Sequence, residues 1–180
     1  MTVAPVTTGP LGVEDLEGMP DDGRRHELVE GVLVVTPAPG AAHQDCVLNL
    51  AVLLRETLPP DLKVMLSPFD WVAGADTVFQ PDLLVARRAD VGPQRLEHAP
   101  VLVVEVLSRS TRLVDLGLKR AAYAEAGVPA YWVVDPDEPG LTAFRLAGTA
   151  YEVEASVTGD EPFEAGAPCP VTVVPAQLSA

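Results

Sequence analysis

The sequence VLVVEVLSRSTRLVDLGLKRAAYAEAGVPAYWVV, residues 101–134, carries the clearest structural pattern in the chain. It begins with Val101–Leu107, a short and almost wholly apolar run that is typical of a strand covered on both faces. A helix over about Thr111–Ala126 follows, and Gly127 marks its end. A second apolar run, Tyr131–Val134, predicts another buried strand. This order predicts a helical crossover between two strands of one sheet, right-handed if the strands are parallel.

The residues before this stretch extend the same architecture. Apolar residues recur every three or four positions along Ala42–Leu58, which predicts an amphipathic helix. Lys63–Leu66 and Val78–Ala86 read as strands, the second of them interrupted by Pro81. We therefore expect an α/β fold with a core of helix, three strands, helix and strand, in which helices flank a mixed sheet.

Weaker patterns surround this core. A length of 180 residues suits one domain, which we place over residues 1–180 with its core at 20–140. Residues 1–12 read as a loose tail, and residues 141–180 as peripheral strands. The remaining predicted elements are a short helix at Val13–Met19, an N-terminal hairpin of His26–Val29 and Val32–Thr36 around Glu30-Gly31, and short C-terminal strands at Leu141–Leu146, Tyr151–Ala155 and Val171–Val174.

The charge balance restricts the classes of partner. Twelve basic and 26 acidic residues give a formal net charge of −14. This balance argues against binding nucleic acid through broad surface electrostatics, because neutralising phosphates requires Lys and Arg. A local basic groove is still compatible with it.

The sequence gives no support for a metal site built from cysteines or histidines, or for a membrane protein. Cys46 and Cys169 are far apart and lack metal-type spacing, so we expect free buried thiols. The three histidines, His26, His43 and His98, form no local metal pattern. The apolar runs are too short to cross a bilayer, and the N-terminus lacks a basic start followed by an apolar stretch. We therefore expect a cytoplasmic protein with no membrane association.

Two acidic residues do not fit the apolar strands that contain them. Alternation puts Glu105 on the same face as Val103 and Leu107, and Asp82 lies between Pro81 and an apolar run. Each alone has an ordinary explanation, a solvated or salt-bridged strand end for Glu105 and a turn for Asp82. Antiparallel pairing of the two strands would bring the carboxylates together, where they repel unless a cation separates them. Such a pair suits Mg²⁺ or Mn²⁺, which prefer oxygen ligands.

Lys119 stands out for its rarity and its position. The chain has ten arginines and only two lysines, and a retained lysine suggests a role for a compact point charge. Asp115, Lys119 and Tyr123 share one face of the predicted helix, at spacings of four residues. Lys119 either makes a surface salt bridge with Asp115 or points over the strand ends. There it would orient a metal-bound water or stabilise charge developing on a phosphate.

These residues resemble a known family. The carrying stretches are HELVEG (26–31), FQPDLLV (79–85), VVEVLSRST (103–111), DLGLK (115–119) and YAEAGVPAYWVVD (123–135). They are similar to the PD-(D/E)xK nuclease superfamily, and more closely to its Uma-two family of bacterial proteins described as restriction endonucleases. The likeness covers about residues 20–140 and is most specific between residues 103 and 135.

The resemblance implies a restriction-endonuclease-like fold and a metal site. It assigns a divalent metal, Mg²⁺ or Mn²⁺, to Asp82 and Glu105, and catalytic roles to these two residues, to Lys119 and to Glu27. The lysine that the superfamily usually carries two places after the strand Glu is replaced by Leu107, and Lys119 on the following helix fits the Uma-two pattern instead. We place His43 and Tyr123 at the edge of the site. A solvated strand face is the alternative for Glu27.

Two functions follow from this pattern. The first is a divalent-metal-dependent endonuclease that hydrolyses phosphodiester bonds, with DNA as the expected substrate. The second is a nuclease-fold module for binding or assembly that has lost turnover, which the net charge and Leu107 favour. A homodimer is expected only by resemblance. Seven arginines lie in or beside the motif segments and form either a basic rim or ordinary surface charge: Arg24, Arg25, Arg87, Arg88, Arg109, Arg112 and Arg120.

Overall fold

A computed structural model describes residues 9–20, 22–108 and 112–179. Its α-helices are α1 (Val13–Glu17), α2 (Ala41–Thr57) and α3 (Arg120–Glu125), and a π-helical turn, Val114–Lys119, leads directly into α3. Its strands are β1 (Arg25–Val29), β2 (Val32–Thr36), β3 (Leu62–Leu66), β4 (Asp70–Gly74), β5 (Thr77–Phe79), β6 (Leu83–Arg87), β7 (Arg95–Leu96), β8 (Leu102–Val106), β9 (Ala130–Asp135), β10 (Gly140–Ala147), β11 (Ala150–Thr158), β12 (Phe163–Ala165) and β13 (Val171–Val173).

The central sheet confirms the predicted fold class. Its strand order is β11-β10-β9-β8-β6-β3. Strands β8 and β9 are parallel, with the π-helical turn and α3 between them in sequence, and the other neighbours are antiparallel. Together with α2, these elements form the expected core of helix, three strands, helix and strand.

The prediction of one strand over Val78–Ala86 was wrong. The segment forms β5 and β6, which belong to different sheets and are separated by Gln80–Asp82. Pro81 explains the break, because a proline has no N–H to donate to a strand ladder. Strand β5 joins a second sheet of order β2-β1-β5-β4-β7, and its member β4 was not predicted.

The C-terminal region differs from the prediction in extent. Strands β10 and β11 span eight and nine residues and continue the central sheet at one edge, so they are neither short nor separate from it. Strand β12 was not predicted, and it pairs with β13 in a small hairpin. The predicted start of the second long helix, at Thr111, falls outside the described residues, as do the first eight residues of the predicted tail.

The two faces of the central sheet are covered by different elements. Helix α2 covers one face with Cys46, Leu50 and Leu54, among others. The second sheet and α3 cover the other face, where Trp71 and Tyr123 contribute to an aromatic cluster. The candidate site lies on this aromatic side, at the end of the sheet where β6 begins and β8 ends.

Two smaller expectations can also be compared with the structure. Cys46 and Cys169 are buried free thiols, as predicted. Among the described residues, no helix combines the length and the apolar character that a bilayer crossing requires.

Candidate active site

The register of β6 and β8 places Asp82 beside Glu105. Leu83 pairs with Val104 in the antiparallel ladder. The backbone N–H of Asp82 lies 3.4 Å from Glu105 Oε2, and the N–H of Val106 donates to Asp82 Oδ2 at 2.8 Å. Both carboxylates are buried, with Asp82 4% exposed and Glu105 fully enclosed. The two acids that fitted their strands poorly therefore lie next to each other.

Lys119 lies between two of the buried acids. Its Nζ is 2.8 Å from Glu27 Oε2 and 3.0 Å from Glu105 Oε1, and 3.8 Å from Asp115 Oδ1. Burial alone would lower the pKa of Lys119, but attraction to Glu105 and Glu27 outweighs it and holds that pKa above its ordinary range. Lys119 is therefore a charged ammonium 1% exposed to solvent, and not part of a surface salt bridge.

Tyr123 holds Glu105 from the same helical face. Its hydroxyl donates to Glu105 Oε1 at 2.5 Å. The ring packs against Phe79 and Trp71, with centroids 4.7 and 5.8 Å away. Burial and the nearby Glu105 raise the pKa of Tyr123 well above its usual value, so the phenol remains a hydrogen-bond donor.

Arg25 and His43 hold the second buried carboxylate of the site, Asp82. Arg25 Nη1 donates to Asp82 Oδ1 at 2.6 Å, and His43 Nε2 lies 3.0 Å from Asp82 Oδ2. Burial by itself would raise the pKa of Asp82, but the hydrogen bond with His43 and the charge of Arg25 outweigh it. The pKa of Asp82 therefore lies below its usual range, and the carboxylate is ionised at neutral pH.

The pKa of Glu105 is shifted in the direction opposite to that of Asp82. Burial raises its pKa, and repulsion from Asp82 and Asp115 adds to that effect against the attraction of Lys119, which gives a value of about 8. Among the described residues, Arg25 and Lys119 are the permanent cations that form ion pairs with Glu27, Asp82 and Glu105. With a pKa of about 8, Glu105 is largely protonated at neutral pH, and a bound divalent cation would favour its ionised form.

The carboxylate oxygens of the cluster are the type of ligand that Mg²⁺ takes in proteins. Mg²⁺ is usually held by one or two carboxylates, with water and substrate phosphate completing its shell. Asp82 and Glu105 supply such a pair of oxygen ligands. Within residues 9–20, 22–108 and 112–179, no three His, Cys, Asp or Glu side chains are grouped as a preformed metal site. Water and a substrate phosphate would complete the coordination of an ion held by Asp82 and Glu105.

A cleft of about 480 Å³ opens over Asp82. One wall is formed by the loop between β2 and α2, residues 37–40, and another by the turn Ser67-Pro68. Arg24, Arg25 and His43 also line the cleft. The cleft gives a ligand from solvent a route to the edge of the charged cluster.

The described motif arginines do not form one basic rim, so the alternative of ordinary surface charge fits most of them. Arg24 and Arg25 line the cleft, whereas Arg87 ends β6, five residues from Asp82 and about 17 Å along the strand. The remaining described arginines make contacts elsewhere: Arg88 with the Pro60 carbonyl, Arg112 with Asp135, and Arg120 over the Phe144 ring. Arg109 falls outside the described residues.

Sequence reasoning missed two contributors to the cluster. Arg25 was read only as part of a rim, although its position two residues before Glu27 on β1 puts both on one face of that strand. Gln80 was not singled out. Its N–H donates to Glu27 Oε1 at 2.8 Å, and its side chain donates to Asp70 Oδ1 at 2.6 Å. No local pattern indicates that role, because it depends on the break between β5 and β6.

Comparisons with known proteins agree with this architecture. A family model, Uma2, described as "Putative restriction endonuclease", matches residues 13–173. A solved structure from Anabaena variabilis ATCC 29413, described as a putative nuclease belonging to DUF820, is 18% identical with a TM-score of 0.75. The alignment covers 94% of this chain and 97% of that chain, which shows a shared fold. No curated protein matches the chain. Because the family model spans most of the sequence, this chain belongs to the Uma2 family.

Proposed function

We propose that this chain is an endonuclease that requires Mg²⁺ or Mn²⁺ and hydrolyses phosphodiester bonds of DNA. The observation that carries this proposal is the convergence of Asp82, Glu105 and Lys119 in one buried cluster whose member Asp82 lines a cleft. Family membership supports the same class of activity.

The roles of the side chains follow from their contacts. Asp82 and Glu105 would hold the metal, which when bound lowers the pKa of a water and polarises a phosphoryl oxygen. Lys119 stays protonated between Glu105 and Glu27, so its charge can stabilise the negative charge that develops on the phosphate. Tyr123 and Lys119 share Glu105 Oε1, which leaves Oε2 on the side of Asp82.

The alternative, a nuclease-fold binding or assembly module without turnover, is favoured by Leu107. This residue occupies the usual lysine position of the superfamily and is buried among apolar side chains. Against this alternative, the ammonium of Lys119 lies 3.0 Å from Glu105, so the helix supplies the missing charge. Binding of metal without cleavage would favour the module.

Nicking of supercoiled plasmid, in Mg²⁺ or Mn²⁺ and in EDTA, tests the proposal. We expect metal-dependent nicking by the wild type, none detectable for Asp82→Asn or Glu105→Gln, and a loss of about 100- to 1,000-fold for Lys119→Ala, as when one charge-stabilising donor is removed. Glu152→Gln changes an exposed acid on β11 and should leave nicking unchanged. Equal nicking by all variants would show a contaminant and overturn the proposal.

Calorimetry separates metal binding from turnover. We expect Mn²⁺ to release or absorb heat with the wild type and with Lys119→Arg, and no heat with Asp82→Asn. Lys119→Arg preserves charge but replaces a compact ammonium with a planar fork, so it should bind metal and nick poorly. The homodimer implied by resemblance stays a prediction, which analytical ultracentrifugation can check.

A further inference from the structure

We infer that the cleft over Asp82 binds the phosphodiester backbone of a single flexible strand in preference to B-form duplex, through Arg24 and Arg25. This inference takes its nucleic-acid substrate from the proposed function and narrows the substrate class. It rests on the charge, the depth and the walls of the cleft.

The charge of the cleft is opposite to that of the whole chain. The net charge is −14, yet the described cleft lining contains two arginines, Arg24 and Arg25, and one acid, Asp82. The N-terminus of α2 also borders the cleft through Gly40 and has no acidic residue in its first turn, so its dipole adds positive potential there. An anionic ligand is favoured inside the cleft and repelled by the body around it.

Arg24 has unused hydrogen-bonding capacity. It is 64% exposed, and its Nε is 3.6 Å from the exposed Asp22, an ion pair of little energetic value. Arg25 is 15% exposed and its Nη1 already donates to Asp82 Oδ1 and to the Gln80 carbonyl, so it contributes mainly its charge to the cleft. Guanidinium groups with free N–H donors are suited to phosphate oxygens.

The depth of the carboxylates restricts the shape of the substrate. Asp82 is 4% exposed and Glu105 is fully enclosed, so a reacting phosphate must descend to the floor of the cleft. The cleft holds about 480 Å³, roughly the volume of sixteen waters. Duplex DNA is a stiff rod with a persistence length of about 50 nm, and its phosphates follow a convex surface. A single strand bends freely and can place one phosphate in so small a recess.

The walls of the cleft favour reading of the backbone over reading of the bases. Pro37, Pro39 and Pro68 form much of the described walls, and their fixed φ angles limit widening of the cleft. The described lining contains no Phe, Tyr or Trp side chain on which a base could stack, and the His43 ring is engaged with Asp82. We therefore expect binding that tolerates any base sequence.

Fluorescence anisotropy in EDTA tests this inference without cleavage, using a labelled 12-nucleotide single strand and the same sequence as a blunt duplex. At about 50 mM NaCl, we expect the single strand to bind about tenfold more tightly than the duplex. Two phosphate contacts predict a slope of log K against log salt of about −1.4. Arg24→Gln should weaken single-strand binding several-fold, and Arg25→Gln at least as much.

The matched control is Arg145→Gln, which removes an exposed arginine on β10 and should leave both affinities unchanged. Binding of the duplex as tightly as the single strand, or more tightly, would overturn the inference. An unaltered single-strand affinity of Arg24→Gln would overturn it too, because Arg24 is exposed and its replacement should not disturb folding. Preference for the single strand combined with absence of metal-dependent cleavage of both the plasmid and the labelled single strand would uphold the inference while rejecting the endonuclease. Metal-dependent nicking together with preference for the duplex would uphold the endonuclease and overturn the inference.

Discussion

The two faces of the central sheet have opposite chemistry, although one strand contributes to both. Leu102, Val104 and Val106 of β8 pack toward α2 in an aliphatic core. Val103 points to the other face together with Glu105, which is fully buried there beside Tyr123. Period-two alternation places a carboxylate on one face without disturbing the other.

The comparison shows that burial stabilises the two faces by different means. Each aliphatic side chain contributes through the apolar area that it removes from water, largely independently of distant neighbours. Each charge in the cluster is tolerated only because a specific partner compensates its desolvation. We therefore expect substitutions on the α2 face to act singly and those in the cluster to act on one another.

The largest expected effect comes from removing the central cation of the cluster. Lys119→Met should lower the free energy of unfolding by about 3–5 kcal/mol, because buried Glu27 and Glu105 lose their common partner. Urea denaturation measures this loss. Leu54→Ala on the α2 face should cost about 2–5 kcal/mol through the cavity it creates. A loss below about 1 kcal/mol for Lys119→Met would show that solvent already compensates these acids.

Double variants distinguish the two faces more sharply. Adding Glu105→Gln to Lys119→Met should restore at least about 1 kcal/mol, because Gln, unlike Glu, is buried without an unpaired charge or the uptake of a proton. Adding Glu105→Gln to Leu54→Ala should be additive within about 0.5 kcal/mol. Equal coupling in both pairs would contradict the distinction between the faces.

The second prediction concerns pH. Burial and repulsion from Asp82 raise the pKa of Glu105 to about 8 in the folded state, against about 4.3 in an unfolded chain. Between these values the folded state binds the extra proton, so the contribution of Glu105 to stability falls as pH rises, by at most about 1.4 kcal/mol per pH unit. Urea denaturation in EDTA between pH 5 and pH 8 should show this fall in the wild type.

Control variants isolate Glu105 from the rest of the chain. Glu105→Gln should remove the fall with pH, whereas Leu54→Ala should preserve it. Asp82 changes the free energy of unfolding with pH in the opposite direction. Because its pKa is lowered in the folded state, its contribution to stability is present above about pH 4 and is lost as the pH decreases. An unchanged pH dependence in Glu105→Gln would assign the effect to another group.

A smaller effect should separate two buried tyrosines of the aromatic face. At about pH 9, where Glu105 is ionised, Tyr123→Phe removes a donor to the Glu105 carboxylate and should cost about 1.5–3 kcal/mol, as for a hydrogen bond to a charged group. Tyr131→Phe removes a bond to the backbone carbonyl of Asp115 and should cost about 0.5–1.5 kcal/mol. Thermal unfolding measures both, and a larger cost for Tyr131→Phe would contradict the assignment.

The smallest effect is expected outside both cores. Arg112 is about half exposed and pairs with Asp135 at 2.6 Å. Arg112→Gln should change the free energy of unfolding by less than about 1 kcal/mol, because water screens such a pair. A loss comparable to that of Lys119→Met would show that burial is not what separates the two ion pairs.

Local patterns located the main elements closely. The strand expected at Val101–Leu107 is observed at Leu102–Val106, and the helix expected at Ala42–Leu58 at Ala41–Thr57. Periodicity specifies these elements because it depends on neighbours a few residues apart. It could not show that β5 and β6 enter different sheets, since alternation does not identify a strand's partner.

Local sequence patterns predicted only part of the candidate site. Asp82 and Glu105 were noticeable because a charge conflicts with an apolar strand, and Lys119 because lysine is scarce. The contacts of Arg25 with Asp82 and of Gln80 with Glu27 join positions more than 50 residues apart. No periodicity connects residues over that distance.

Composition and periodicity therefore established the α/β class, most element boundaries and the acids at odds with their strands, because these properties follow from local chemistry. Long-range packing alone settled that Lys119 lies between Glu27 and Glu105, that Arg25 contacts Asp82, and that Arg24 and Arg25 are the only described arginines of the motif segments to line the cleft. Those contacts depend on which strands pair and how a crossover helix returns, and many residues across the chain decide this together.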